Sequence, residues 1–214
     1  MQNIRMSLSE GELTMLYFIF KNLFKIMFKV LNRLEIIGVE NIPTNGPALL
    51  VANHVSNWDP PVLGAAANRQ VCFLAKEELF RIPVLNFLLP AWGAVPIKRG
   101  RGDREAISKS MEILSDGKVL GIFIEGTRNR ENPDKLGKLH SGPAMFALKN
   151  NAPVVPTLLL NTQTIGKSFK KVKVIFGKPI YLTNDPALEK KELYAKATQE
   201  IADAIESLRP TKKA

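Results

Sequence analysis

Short apolar runs bounded by turn residues recur at positions 48–52, 70–75, 119–124, 154–160 and 172–176, and between most of them lie stretches with helical spacing. A run of about four to eight apolar residues suits a buried strand, and strands alternating with helices build a largely parallel sheet with helices packed on it. The spacing predicts helices over 59–68, 103–116, 141–150 and 186–208. A broken helix is expected over 76–92, punctuated by Pro83 and Pro90. Residues 34–39 read as a further short strand, and 93–102 as a strand that ends in cations among glycines. The expected fold is a single α/β domain over 34–214 with a largely parallel central sheet flanked by helices. An N-terminal amphipathic, membrane-surface helical segment over 1–33 precedes it.

That segment is strongly apolar over 10–33, yet its longest uncharged stretch, 13–20, is far shorter than the roughly 20 residues that span a bilayer. Lys21, Lys25, Lys29 and Arg33 recur every four residues as a basic stripe. Leu16, Phe20, Leu23, Phe24, Met27, Val30, Leu31 and Leu34 supply a wide apolar face. This is the pattern of a helix lying among lipid headgroups, and equally of one packed on a domain core. Glu10 and Glu12 stand before the apolar run, and no small-residue cleavage site follows, unlike a secretory signal.

The 214 residues are 45% hydrophobic, enough for a substantial core, and carry a formal charge of +10 with a pI near 9.7. Such a charge attracts nucleic acid, a phospholipid surface or a phosphorylated substrate alike. No nucleic-acid reading motif is recognisable, and the cations cluster near apolar surface. The single cysteine, Cys72, lies in an apolar run, so no internal disulfide or cysteine metal cluster is expected.

In open α/β sheets ligands collect outside the carboxyl ends of strands. Three polar groups follow such ends: His54 with Asp59, Lys98 with Arg99, and Glu125-Gly126-Thr127-Arg128. On one continuous helix His54 and Asp59 would point about 140° apart. A strand, turn and helix start can fold the carboxylate back onto the imidazole, or Asp59 can simply cap a helix that opens with Pro60 and Pro61. A neutral imidazole held by a carboxylate can take a proton from an attacking hydroxyl. Ser56 offers a nucleophile or a turn residue. Arginines suit phosphate through their planar fork of donors, which marks Arg99 and Arg128, with Lys98 and Arg101 less specific. Glu125 suits a substrate hydroxyl, the orientation of Arg128, or the anchoring of loop amides, while Gly126 permits close backbone approach.

Taken in order, these residues resemble the glycerolipid acyltransferases, specifically the 1-acylglycerol-3-phosphate (lysophosphatidic acid) O-acyltransferases, over roughly residues 34–176. Asn53-His54 with Asp59 is similar to the family's N-H-x4-D block. Lys76, Pro83 and residues 93–99 resemble its second block, Phe123 to Arg128 its third, and Val154-Val155-Pro156 its fourth. Ile124, Asn129 and Pro96 depart from the usual residues, and Lys138 is separated from Gly142 by Leu139-His140-Ser141 where members commonly place a lysine directly before the helix start.

The resemblance implies transfer of a fatty acyl group from an acyl thioester, acyl-CoA or acyl-ACP (the acyl carrier protein), to the sn-2 hydroxyl of lysophosphatidate. His54 would be the general base and Asp59 its orienter. Arg99, Lys98, Arg128, Gly126 and Thr127 would bind substrate, with Glu125 a positioning residue. It implies no metal and no cofactor beyond the thioester co-substrate. The expected partner is a phospholipid membrane surface at the cytoplasmic face, and nucleic acid is not expected. Another lysophospholipid or amino-lipid acceptor, and a non-catalytic basic lipid-binding protein, are the alternatives.

Overall fold

The computed structural model describes residues 10–97 and 102–210. The elements are α1 (Glu10–Asn32), β1 (Glu35–Ile37), β2 (Ala48–Ala52), α2 (Asp59–Ala66), β3 (Val71–Lys76), α3 (Pro83–Ala91), β4 (Ala94–Ile97), α4 (Gly102–Ser115), β5 (Val119–Phe123), α5 (Gly142–Asn150), β6 (Val154–Leu160), β7 (Lys173–Phe176) and α6 (Lys190–Ser207). The strands form one sheet in the order β1-β7-β6-β2-β5-β3-β4. Pairing is parallel from β6 through β4, antiparallel between β6 and β7, and parallel again between β7 and β1. The expected α/β architecture is therefore present.

Alternation along β2 divides the core. Leu50 packs toward α1 and α2 with Phe28, Leu63 and Trp92, while Leu49 and Val51 pack toward α4, α5 and α6 with Leu114, Phe146 and Ile201. Successive side chains of a strand face opposite layers, so a strand buried on both sides must be apolar throughout. Cys72 is buried in the second layer. Gly117, just beyond α4, adopts φ 70° and donates its amide to Leu114 O at 3.0 Å, which ends the helix.

α1 is apolar around most of its circumference, so it both packs and protrudes. Tyr17 and Phe28 are fully buried. The Tyr17 hydroxyl donates to Gly64 O at 3.4 Å and accepts the Val71 amide at 3.2 Å, and burial pushes its pKa up to about 12. The outward stripe of Met15, Ile19, Leu23, Ile26 and Val30 is 53–72% exposed. The uniform basic stripe read from the sequence is corrected at Lys21, which is only 7% exposed because it lies one turn from Tyr17 on the packed side. Of the broken segment before β4, Ile82, Val84 and Phe87 stay exposed while Ala91 and Trp92 enter the core. No described helix is long and apolar enough to cross a membrane.

Candidate active site

β2 is paired on both sides, by β5 and β6, which fixes where its carboxyl end emerges. Asn53 continues the ladder with its side chain: Oδ1 accepts the Leu159 amide at 2.7 Å and Nδ2 donates to Leu159 O at 3.0 Å. The next residue, His54, is fastened through its backbone. Its amide donates to Glu125 Oε2 at 2.6 Å and its carbonyl accepts the Asn129 amide at 2.7 Å. The imidazole stacks on Phe123, centroids 4.1 Å apart and planes 19° apart, and Phe123 lies nearly parallel to Phe73. Gly121 makes this layer possible, since a Cβ there would lie 2.4 Å from the Phe73 ring.

Asp59 is fully buried. Its Oδ2 accepts from His54 Nδ1 and from the amides of Val55 and Ser56, each at 2.7 Å, and its Oδ1 accepts the Thr162 hydroxyl. Both oxygens of the carboxylate are thus met by donors, which places the imidazole proton on Nδ1 and leaves the Nε2 lone pair without a partner among the described residues. The N-cap expectation is corrected: α2 begins at Asp59 itself, and the carboxylate turns back to the preceding loop instead of forward to the helix amides. Ser56 serves the turn, its hydroxyl oxygen accepting the Trp58 amide at 3.2 Å.

Glu125 adopts the anchoring role. Besides the His54 amide it accepts the Gly137 amide at 2.7 Å, and it is 2% exposed, with neither a bond to Arg128 nor an open face toward solvent. Gly126 takes φ 62°, a left-handed conformation suited to glycine, and the His140 ring lies against it. Gly126 and Thr127 are exposed, and Arg128 is half-buried with no hydrogen bond or ion pair among the described residues. Lys98, Arg99 and Arg101 lie outside the described residues.

The structure therefore joins His54, Asp59 and Glu125 directly and sets Gly126, Thr127 and Arg128 at the adjoining strand end. It adds Thr162, Asn53 and Phe123. Thr162 stands just beyond the carboxyl end of β6, so the strand-end rule that marked His54 also marks it. The stacking role of Phe123 has no signal beyond its place in the third block. A cavity of about 370 Å³, lined by Lys25, Lys29, Leu34, Ile36, Val39 and Ala66, includes none of these residues.

A family model described as Acyltransferase matches residues 33–160, which takes in β1 through β6 and the whole His54 to Glu125 cluster. The chain belongs to the acyltransferase family. This acyltransferase is 30% identical over 162 residues to a 1-acyl-sn-glycerol-3-phosphate acyltransferase of Borreliella burgdorferi, covering 73% of this chain and 62% of that protein. It thus spans under two thirds of that relative's length. Against the protein of the same description from Bacillus subtilis it is 27% identical over 191 residues, covering 87% of this chain and 94% of that one. Among solved structures it is similar to a 1-acyl-sn-glycerophosphate (LPA) acyltransferase from Thermotoga maritima, at 25% identity and a TM-score of 0.74, covering 97% of this chain and 86% of that one.

Proposed function

We propose that this acyltransferase moves a fatty acyl group from acyl-CoA or acyl-ACP to the sn-2 hydroxyl of 1-acylglycerol-3-phosphate, forming phosphatidate. The observation that carries the reading is the His54–Asp59 pair, with Nδ1 and Oδ2 2.7 Å apart and Nε2 without a hydrogen-bond partner among the described residues. Nε2 takes the proton of the sn-2 hydroxyl as its oxygen attacks the thioester carbonyl, and Asp59 stabilises the imidazolium that forms. The tetrahedral intermediate then expels the thiolate, which recovers the proton from Nε2. The thioester is activated enough for direct attack, so the reading uses no acyl-enzyme and no cofactor beyond the acyl donor.

Arg128, uncommitted to any described carboxylate, suits the acceptor phosphate, and Arg99 and Lys98 are assigned to the same phosphate by resemblance. Exposed Gly126 and Thr127 would border the glycerol backbone. The outward apolar stripe of α1, flanked by Lys29 and Arg33, supports peripheral attachment to a phospholipid surface, assigned to the cytoplasmic face by resemblance.

The test is purified full-length protein offered lysophosphatidate with acyl-CoA and acyl-ACP in parallel, with His54→Ala as control. Phosphatidate formation that falls by about 10² to 10⁴ in the variant supports the assignment. Retained kcat in the variant refutes the base. Transfer to other lysolipids or amino-lipids but not to lysophosphatidate replaces the acceptor.

A further inference from the structure

The segment between β6 and β7 is a built loop. Asn161, at φ 65°, donates Nδ2 to Lys171 O at 2.8 Å across the loop base, and its carbonyl accepts the Thr164 hydroxyl at 2.7 Å. Within it the amides of Lys167 and Ser168 both donate to Thr164 O at 2.9 Å. The loop is also tied to the end of α1. The Val172 amide donates to Asn32 O at 3.0 Å and Arg33 Nη2 donates to Phe169 O at 3.1 Å. This backbone scaffold holds out Phe169, which at 76% is the most exposed large apolar side chain among the described residues.

Exposed lysines flank it. Lys167 and Lys170 form no ion pair among the described residues, while Lys171 is shared with Glu35 at 3.0 Å. A lone exposed phenylalanine is ordinary. One presented by a hydrogen-bonded loop, between unpaired lysines and beside a helix with an apolar outer stripe, has the chemistry of the bilayer interface, where aromatic rings settle among headgroups and lysines meet phosphate.

We infer that the Lys167-Ser168-Phe169-Lys170 loop tip is a second contact with an anionic phospholipid bilayer, with Phe169 entering the headgroup zone and Lys167, Lys170 and Arg33 meeting lipid phosphates. This rests on the peripheral attachment proposed for α1 but concerns a different element. Thr162, the second residue of the loop, bonds Asp59, so one piece of chain carries both the lipid contact and a bond to the carboxylate behind His54.

The experiment places a reporter at the tip of the full chain. Phe169→Trp is mixed with phosphatidylglycerol-containing vesicles carrying brominated lipids, and its fluorescence is compared with that of the parent, which has two tryptophans. Bromine quenching of the added tryptophan is expected. A Lys167→Glu/Lys170→Glu variant is expected to lose about tenfold in partitioning to anionic vesicles, roughly the effect of two surface lysines under partial screening, with little change on neutral ones. If the parent co-sediments with vesicles and the added tryptophan is unquenched, the loop inference is overturned and the α1 reading stands. If Phe169→Ala and the charge reversals instead weaken turnover only with acyl-ACP, the face docks the carrier and the lipid assignment is wrong. If the parent itself fails to co-sediment, the attachment reading falls and takes this inference with it.

Discussion

Thr162 and Asp59 stand 103 residues apart in the chain, and the threonine hydroxyl donates to the carboxylate oxygen that His54 does not use. Both side chains are fully buried. The bond sets the rotation of the carboxylate and so the position of the imidazole it holds.

Replacing Thr162 by Val removes that donor at nearly constant volume. Hydrogen bonds to charged groups contribute about 1.5–3 kcal/mol, so kcat is expected to fall about tenfold or more with KM for lysophosphatidate little changed. Thr162→Ser is expected to retain most of the activity. Steady-state kinetics on both variants checks this, and an equal loss in the serine variant would show that the methyl group, not the hydroxyl, matters.

Glu125 holds two backbone amides, one of them that of His54. Glu125→Ala leaves both without partners, at about 1–3 kcal/mol each, and is expected to lower the melting temperature as well as kcat. A variant with unchanged thermal unfolding and a selective rise in acceptor KM would return Glu125 to the role of substrate ligand.

The Phe73, Phe123 and His54 layer depends on the absence of a side chain at Gly121. Gly121→Val is expected to destabilise by about 1–3 kcal/mol through overpacking, and to disturb the imidazole two rings away. Denaturant unfolding together with kcat measured well below the melting temperature separates the two effects.

Lys21 is held below its ordinary pKa of 10.5 first by burial and then by Lys25. Its folded-state pKa lies below the unfolded one, so the unfolded chain binds more protons between the two values and stability rises with pH across that window. Lys21→Met is therefore expected to stabilise the protein at neutral pH, with the difference shrinking as pH climbs toward the unfolded lysine value. Unfolding curves at several pH values test the sign.

Removing α1 outright would strip Tyr17 and Phe28 from the core, so a deletion confounds attachment with folding. Polar replacement of Ile19, Leu23 and Ile26 avoids this, since all three point outward. Vesicle co-sedimentation is expected to drop by about tenfold or more with thermal unfolding unchanged. Undiminished binding would place the membrane contact elsewhere.

The sheet was legible because its strands are buried on both faces and their apolar runs carry that requirement in one dimension. The pairing of His54 with Asp59 was legible once a strand end was placed before it. Less could be read where the outcome depends on three-dimensional neighbours. Whether Asp59 faces its own helix or the preceding turn is decided by Thr162 and by the Val55 and Ser56 amides, none of which has a local pattern. Lys21 falls in register with Lys25 and Lys29, yet the helix packs on Tyr17 and Phe28 and takes Lys21 inward with them.

The side-chain pairing of Asn53 with Leu159, 106 residues later, also sets a timetable for synthesis. β2 emerges early but finds its two neighbours only when residues 119–123 and then 154–160 have been made. Contacts this distant in sequence form late. A nascent chain can therefore present the outer stripe of α1 to its surroundings while the imidazole still lacks its ordered cradle, and becomes competent only after Thr162 has arrived.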